Sequence, residues 1–138
     1  MESVYRVKAT PLIEAIKEIL KSKSEIVLPE NGDLIKTSHG KQYSPDDQHW
    51  FYTRMASIVR TAMCKGTVSL KGLSRKHSCR KNVGVRPTKY AKGSEFVNQS
   101  AVEQLIKIGW FDFSNKKDVL TSSAKEILGE ILEKVGQQ

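Results

Sequence analysis

Residues 44–63 read Ser44-Pro45-Asp46-Asp47-Gln48-His49-Trp50-Phe51-Tyr52-Thr53-Arg54-Met55-Ala56-Ser57-Ile58-Val59-Arg60-Thr61-Ala62-Met63. The opening has the composition of a helix start: a hydroxyl that can cap, a proline suited to the first turn, and carboxylates favoured at the positive end of a helix. Phe51, Met55, Ile58, Val59, Ala62 and Met63 then recur at steps of three and four, with Trp50 alongside, which is the period of an amphipathic helix. A helix from Pro45 to Met63 would span roughly 28 Å at 1.5 Å per residue, about the width of a small domain. It is therefore expected to run through the centre of the fold.

Other elements are arranged around it. Thr10-Pro11 before Leu12, Ile13, Ile16, Ile19 and Leu20 predicts a first helix capped by Thr10. Residues 25–32 hold Pro29 and the turn dipeptide Asn31-Gly32, so an extended segment should turn and return as a short strand over 33–37. Gly93-Ser94 caps a helix through Phe96, Val97, Ala101, Val102, Leu105, Ile106 and Ile108, stopped by Gly109. Residues 110–113 and 118–120 read as two short strands around the turn Ser114-Asn115-Lys116-Lys117. Thr121 then caps a last helix carrying Ile127, Leu128, Ile131, Leu132 and Val135. Residues 67–94 lack either period and contain Gly72, Gly84, Pro87 and Gly93, so they are expected to form a long loop or arm. The fold class that results is mainly α: a winged-helix-like helical domain with a small β-hairpin and a long basic arm over about 65–93. The 138 residues suit one domain, 1–138.

Charge gives the first indication of function. The net charge is +8, and no acidic residue lies between Asp47 and Glu95. That interval holds eleven cations, whereas the rest of the chain has 12 basic against 15 acidic residues. The basicity is local, which points to a polyanion bound along one stretch rather than to a uniformly cationic chain. Arg54, Ser57 and Thr61 share one face of the central helix, with Arg60 at its edge. Candidate phosphate-binding residues are Arg54, Arg60, Lys65, Arg75, Lys76, Arg80, Lys81, Arg86, Lys89 and Lys92. Trp50, Phe51 and Tyr52 could stack on bases, but core packing is the better reading of aromatic residues at this spacing.

Other chemistries lack their residues. No run approaches the roughly 20 apolar residues of a membrane span, and residues 1–9 lack a secretory signal, so an intracellular protein is expected with Cys64 and Cys79 reduced. Of His39, His49, His77, Cys64 and Cys79 only His77 and Cys79 are close in sequence, and no Cys-x-x-Cys exists, so no metal is expected. There is no phosphate-cradling Gly-Lys loop, no nucleophile elbow and no paired-histidine helix. Asp46 and Asp47 look like helix-dipole partners rather than a catalytic pair. No enzymatic activity, cofactor or small-molecule substrate is expected.

Trp50-Phe51-Tyr52-Thr53-Arg54, continued by Ala56-Ser57-Ile58 and Arg60, resembles the signature of the nineteen-e protein family of the archaeal and eukaryotic small ribosomal subunit. A second match lies at Gly84-Val85-Arg86-Pro87, followed by Tyr90 and Lys92-Gly93-Ser94. Leu28-Pro29 with Asp33 and Lys36, the first helix, and Leu120-Thr121 extend the resemblance over nearly the whole chain. It favours the eukaryotic branch. It implies a winged-helix-like fold, contact with ribosomal RNA in the head of the small subunit beside neighbouring ribosomal proteins, and a role in assembly and RNA maturation. It also implies a cytoplasmic, ribosomal location with a nucleolar stage during assembly. Arg54, Arg60, Arg80 and Arg86 match the family's basic positions, as do Gly84 and Pro87 its arm. Two departures fall in the arm: Thr67 replaces a second glycine after Gly66, and His77-Ser78-Cys79 replaces an aromatic-Gly-Gly. A winged-helix DNA-binding regulator is the competing reading. The helix before its expected wing carries only Lys107 beside Glu95 and Glu103, a poor set for a DNA groove.

Overall fold

The computed structural model describes residues 2–29, 35–114 and 117–137. A 3-10 turn at Glu2–Arg6 precedes helices α1 (Ala9–Ser22), α2 (Trp50–Lys65) and α3 (Leu70–Lys76). A hairpin of β1 (Cys79–Lys81) and β2 (Lys89–Ala91) follows, then α4 (Glu95–Lys107) and α5 (Ser122–Gly136). The architecture is mainly α and winged-helix-like, with one two-stranded antiparallel sheet among the described residues.

α2 is the central helix. Its predicted stripe, Phe51, Met55, Ile58, Val59, Ala62 and Met63, is buried as the spacing requires. α1 packs on it with Leu12, Ile16 and Leu20, and α4 packs on it with Val97, Ala101 and Leu105. α5 closes against α1 and adds Leu128, Ile131 and Leu132 to the same core cluster. Each buried valine, leucine, isoleucine, phenylalanine or methionine among them contributes about 1.5–3 kcal/mol by leaving water, and this offsets the entropy of ordering the chain. Ser94 and Thr121 cap α4 and α5 as predicted, their hydroxyls accepting from Val97 N–H and Ala124 N–H.

Four expectations are corrected. α2 begins at Trp50, not Pro45, and is therefore nearer 24 Å long at 1.5 Å per residue. The Asp47 carboxylate accepts from His49 N–H at 2.9 Å, and Trp50 N–H donates to the Asp47 carbonyl at 3.3 Å. This Asx turn occupies the residues that resemble a helix cap, because the same polar side chains serve both structures. Asp47 also pairs with Lys17 of α1 at 3.3 Å. Secondly, α1 starts at Ala9 with Lys8 as its N-cap, so Thr10 lies inside the first turn and does not cap it. Pro11 is tolerated there because first-turn N–H groups have no intrahelical acceptor.

Thirdly, the arm is not a structureless loop: residues 67–94 contain α3 and both strands. Ser69 caps α3 by accepting from Gly72 N–H at 3.1 Å, and Leu73 anchors it in the core. The hairpin pairs Cys79 with Ala91, Arg80 with Tyr90 and Lys81 with Lys89. Fourthly, the hairpin expected after α4 is reduced to one bridge, Phe111 with Leu120. Val119 N–H donates to Gly66 O at 2.9 Å, outside the pairing, so the ladder does not extend. Trp110 and Phe111 spend their bulk in the core instead. Asn115 and Lys116 of the expected turn lie outside the described residues, as does most of the turn and return strand expected over 31–37, of which residues 35–37 are described and form no strand.

The hairpin is fastened at its base by the segment before α2. Ser38 bridges Gly93, its hydroxyl donates to Lys92 O at 2.6 Å, and Ser94 N–H donates to Thr37 O at 2.8 Å. Gly40 passes beneath the sheet so closely that a Cβ there would lie 2.7 Å from Ala91 Cβ and 2.8 Å from Cys79 Sγ. Only glycine permits that approach.

Candidate nucleic-acid interface

The ten candidate cations come from three elements. Arg54, Arg60 and Lys65 are on α2, Arg75 and Lys76 on α3, and Arg80, Lys81, Arg86, Lys89 and Lys92 on the hairpin, its connection and its exit. Arg54 and Arg60 are half-buried, whereas the other eight are exposed. Among the described residues none of the ten has an ion pair, although Lys17, Lys21 and Lys125 each find a carboxylate.

One group gathers where α3 folds back on α2. Lys76 donates to the Thr61 hydroxyl across that junction. Burial lowers its pKa, the charge of Arg60 lowers it further, Cys64 opposes this, and Lys65 adds the smallest lowering. Three cations thus share this junction, and none of them has an ion pair among the described residues; the nearby Asp118, which lines a cavity with Lys65, is paired with Lys125. Like charges held this close repel, and an incoming anion removes the repulsion. Thr61, Lys65, Thr67, Ser69 and Lys76 line a cavity of about 200 Å³ at this point.

A second group is carried by the hairpin. Lys81 and Lys89 are direct cross-strand partners, an arrangement that destabilises an isolated sheet. At the far end Gly84 adopts φ +83 and its N–H donates to Asn82 Oδ1 at 2.9 Å, a tight turn that leaves Val85 fully in solvent and Arg86 exposed. The basic arm is a small wing bearing cations on a framework that does not neutralise them.

Arg54 is placed differently. Its Nη1 donates to Asn98 Oδ1 of α4 at 3.2 Å, and burial lowers its pKa, so part of the guanidinium braces α2 against α4. His77 follows α3, and its pKa is pushed down to about 4, by burial first and then by the charges of Arg54 and Lys76. The imidazole is therefore neutral near pH 7 and adds no charge to the interface. Its effect is on stability: with an unfolded pKa near 6.5, the unfolded chain binds a proton that the folded chain refuses. Stability is fully present above pH 6.5 and falls as pH drops towards 4. Urea midpoints measured across that window should show a smaller decline for His77→Asn than for the unaltered chain. Parallel curves would remove His77 from the explanation.

Trp50, Phe51 and Tyr52 belong to the core, with Phe51 buried and the other two packed against it, so they are not a stacking platform. Sequence reasoning missed Lys36 and Lys41. Both line cavities shared with the hairpin residues Lys92 and Lys81, although they lie 40 residues or more away in the chain. Their signal was slight, since Asp33 dilutes the charge nearby and no period links them to the arm. Among the described residues no three metal-binding side chains cluster, and no helix is long and apolar enough to cross a membrane.

A family model described as Ribosomal protein S19e matches residues 3–138. The chain belongs to that family. Among similar proteins, the small ribosomal subunit protein eS19 of Encephalitozoon cuniculi is 38% identical over 135 residues, covering 98% of each chain. The eS19 protein of Oryza sativa subsp. japonica is 29% identical over 134 residues, 96% of this chain and 92% of the relative. The eS19A protein of Saccharomyces cerevisiae is 33% identical over 115 residues, 83% and 80% of the two chains. Membership of the S19e family makes this a ribosomal protein, as the two sequence signatures implied.

Proposed function

We propose that this S19e protein is a structural constituent of the small ribosomal subunit that binds ribosomal RNA through α2, α3 and the basic hairpin. The observation that carries the reading is the set of ten cations without a single carboxylate partner among the described residues, including the crowded Arg60, Lys65 and Lys76. Such a surface is suited to a ligand of regularly spaced phosphates. Residues 1–138 act as one RNA-binding domain. In this reading the partners are the RNA and proteins of the subunit head, and the protein works in the cytoplasmic ribosome after a nucleolar stage of assembly, where it supports RNA maturation. A regulator reading DNA through α4 fits less well, because the exposed charges of that helix include Glu95 and Glu103.

Binding of the purified chain to a structured RNA should weaken steeply with salt. Neutralising about six phosphates gives a log-log slope near −5, at roughly 0.9 per phosphate on a duplex. An affinity that barely changes with salt would count decisively against a phosphate-reading interface.

A further inference from the structure

Along the hairpin runs a concave face in which two of the ten cations, Lys81 and Lys92, stand beside groups that the phosphate-binding reading does not use. Two neighbouring cavities of about 640 and 380 Å³ share Lys36 and His39 in their walls. The larger is also lined by Tyr90, Lys92 and Glu95, and the smaller by Lys41 and Lys81. Tyr90 is 61% exposed, although it stands in a strand beside the buried Ala91. An aromatic side chain exposed among lysines offers a stacking surface, since every base presents a π-face to it.

Building on the RNA-binding reading, we infer that this face receives one unpaired nucleotide of the RNA, its base against Tyr90 and its flanking phosphates on Lys36, Lys92, Lys41 and Lys81. A phosphate track along a duplex needs only exposed cations, which the hairpin already supplies. A cavity in the size range of small-molecule sites, walled by an aromatic ring and cations together, suits a nucleotide drawn out of a helix. Glu95 fixes the orientation. Its carboxylate repels phosphate, so the phosphates fall towards the lysines and the base, which can offer N–H donors, falls towards Glu95. The position of the hairpin is set by Ser38 and Gly40, which hold both walls at a fixed separation.

The test compares an RNA hairpin bearing one bulged adenosine with the same hairpin lacking the bulge, using fluorescence anisotropy of the full chain over a salt series. The bulged RNA should bind about tenfold more tightly. Tyr90→Ala should erase that preference and leave the salt slope unchanged, while Tyr90→Phe should keep the preference. Equal affinity for the two RNAs with a steep salt slope would overturn the unpaired-nucleotide site and leave the RNA-binding reading standing. A preference that survives Tyr90→Ala would likewise overturn it. Absence of salt-dependent binding to either RNA would overturn both.

Discussion

Replacing Arg80, Lys81, Arg86 and Lys89 together by alanine lowers affinity for structured RNA by roughly a hundredfold to a thousandfold near 0.15 M salt, if each meets one phosphate. The log-log slope becomes shallower by about three to four, because each lost phosphate contact removes roughly 0.9. The fold should be untouched. All four side chains are exposed and none has an ion pair among the described residues, and surface changes of that kind usually stay within about 0.5 kcal/mol. Removing the opposed Lys81 and Lys89 also relieves a repulsive cross-strand pair, so the melting temperature should hold or rise slightly. An unchanged salt slope, with the thermal transition intact, would show that the hairpin does not meet phosphate.

Phe51→Ala should have the opposite profile. Phe51 is 1% exposed, sits edge-on to Trp50 at 5.7 Å, and stands at the start of the helix on which α1 and α4 pack. Truncating such a side chain removes its transfer free energy and leaves a cavity, together about 3–5 kcal/mol. Domains of this size are stable by about 5–15 kcal/mol, so the loss is at least about a fifth of the total. Urea denaturation should show a midpoint shifted far down with a similar slope. Phe96→Ala, at a side chain 57% exposed on α4, should move the midpoint little. Equal effects from the two would mean that the α2 stripe is not the centre of the core.

The contrast between these variants follows what could be read in the sequence. The α2 stripe was legible because a sixteen-residue helix repeats its apolar spacing several times. The caps at Ser94 and Thr121 were legible because each hydroxyl directly precedes a long amphipathic stripe. Ser44 to Asp47 misled, since an Asx turn and a helix cap recruit the same residue types, and only the path of the chain decides between them. α3 has seven residues and each strand three, too short for a period to appear among glycines and lysines. The candidate cations stand out in the sequence as a stretch without acids. Their three-dimensional grouping does not, because Lys36 and Lys41 join the hairpin through the Ser38–Gly93 bridge, a tertiary contact with no local signature. Nor could spacing show that Arg54 spends part of its hydrogen bonding on Asn98.

Sedimentation of a cell lysate through a sucrose gradient, following this chain against ribosomal RNA, tests the ribosomal placement most directly. Cosedimentation with the small subunit that persists through a moderate salt wash is the expected result. Recovery only at the top of the gradient, or only with chromatin, would contradict it.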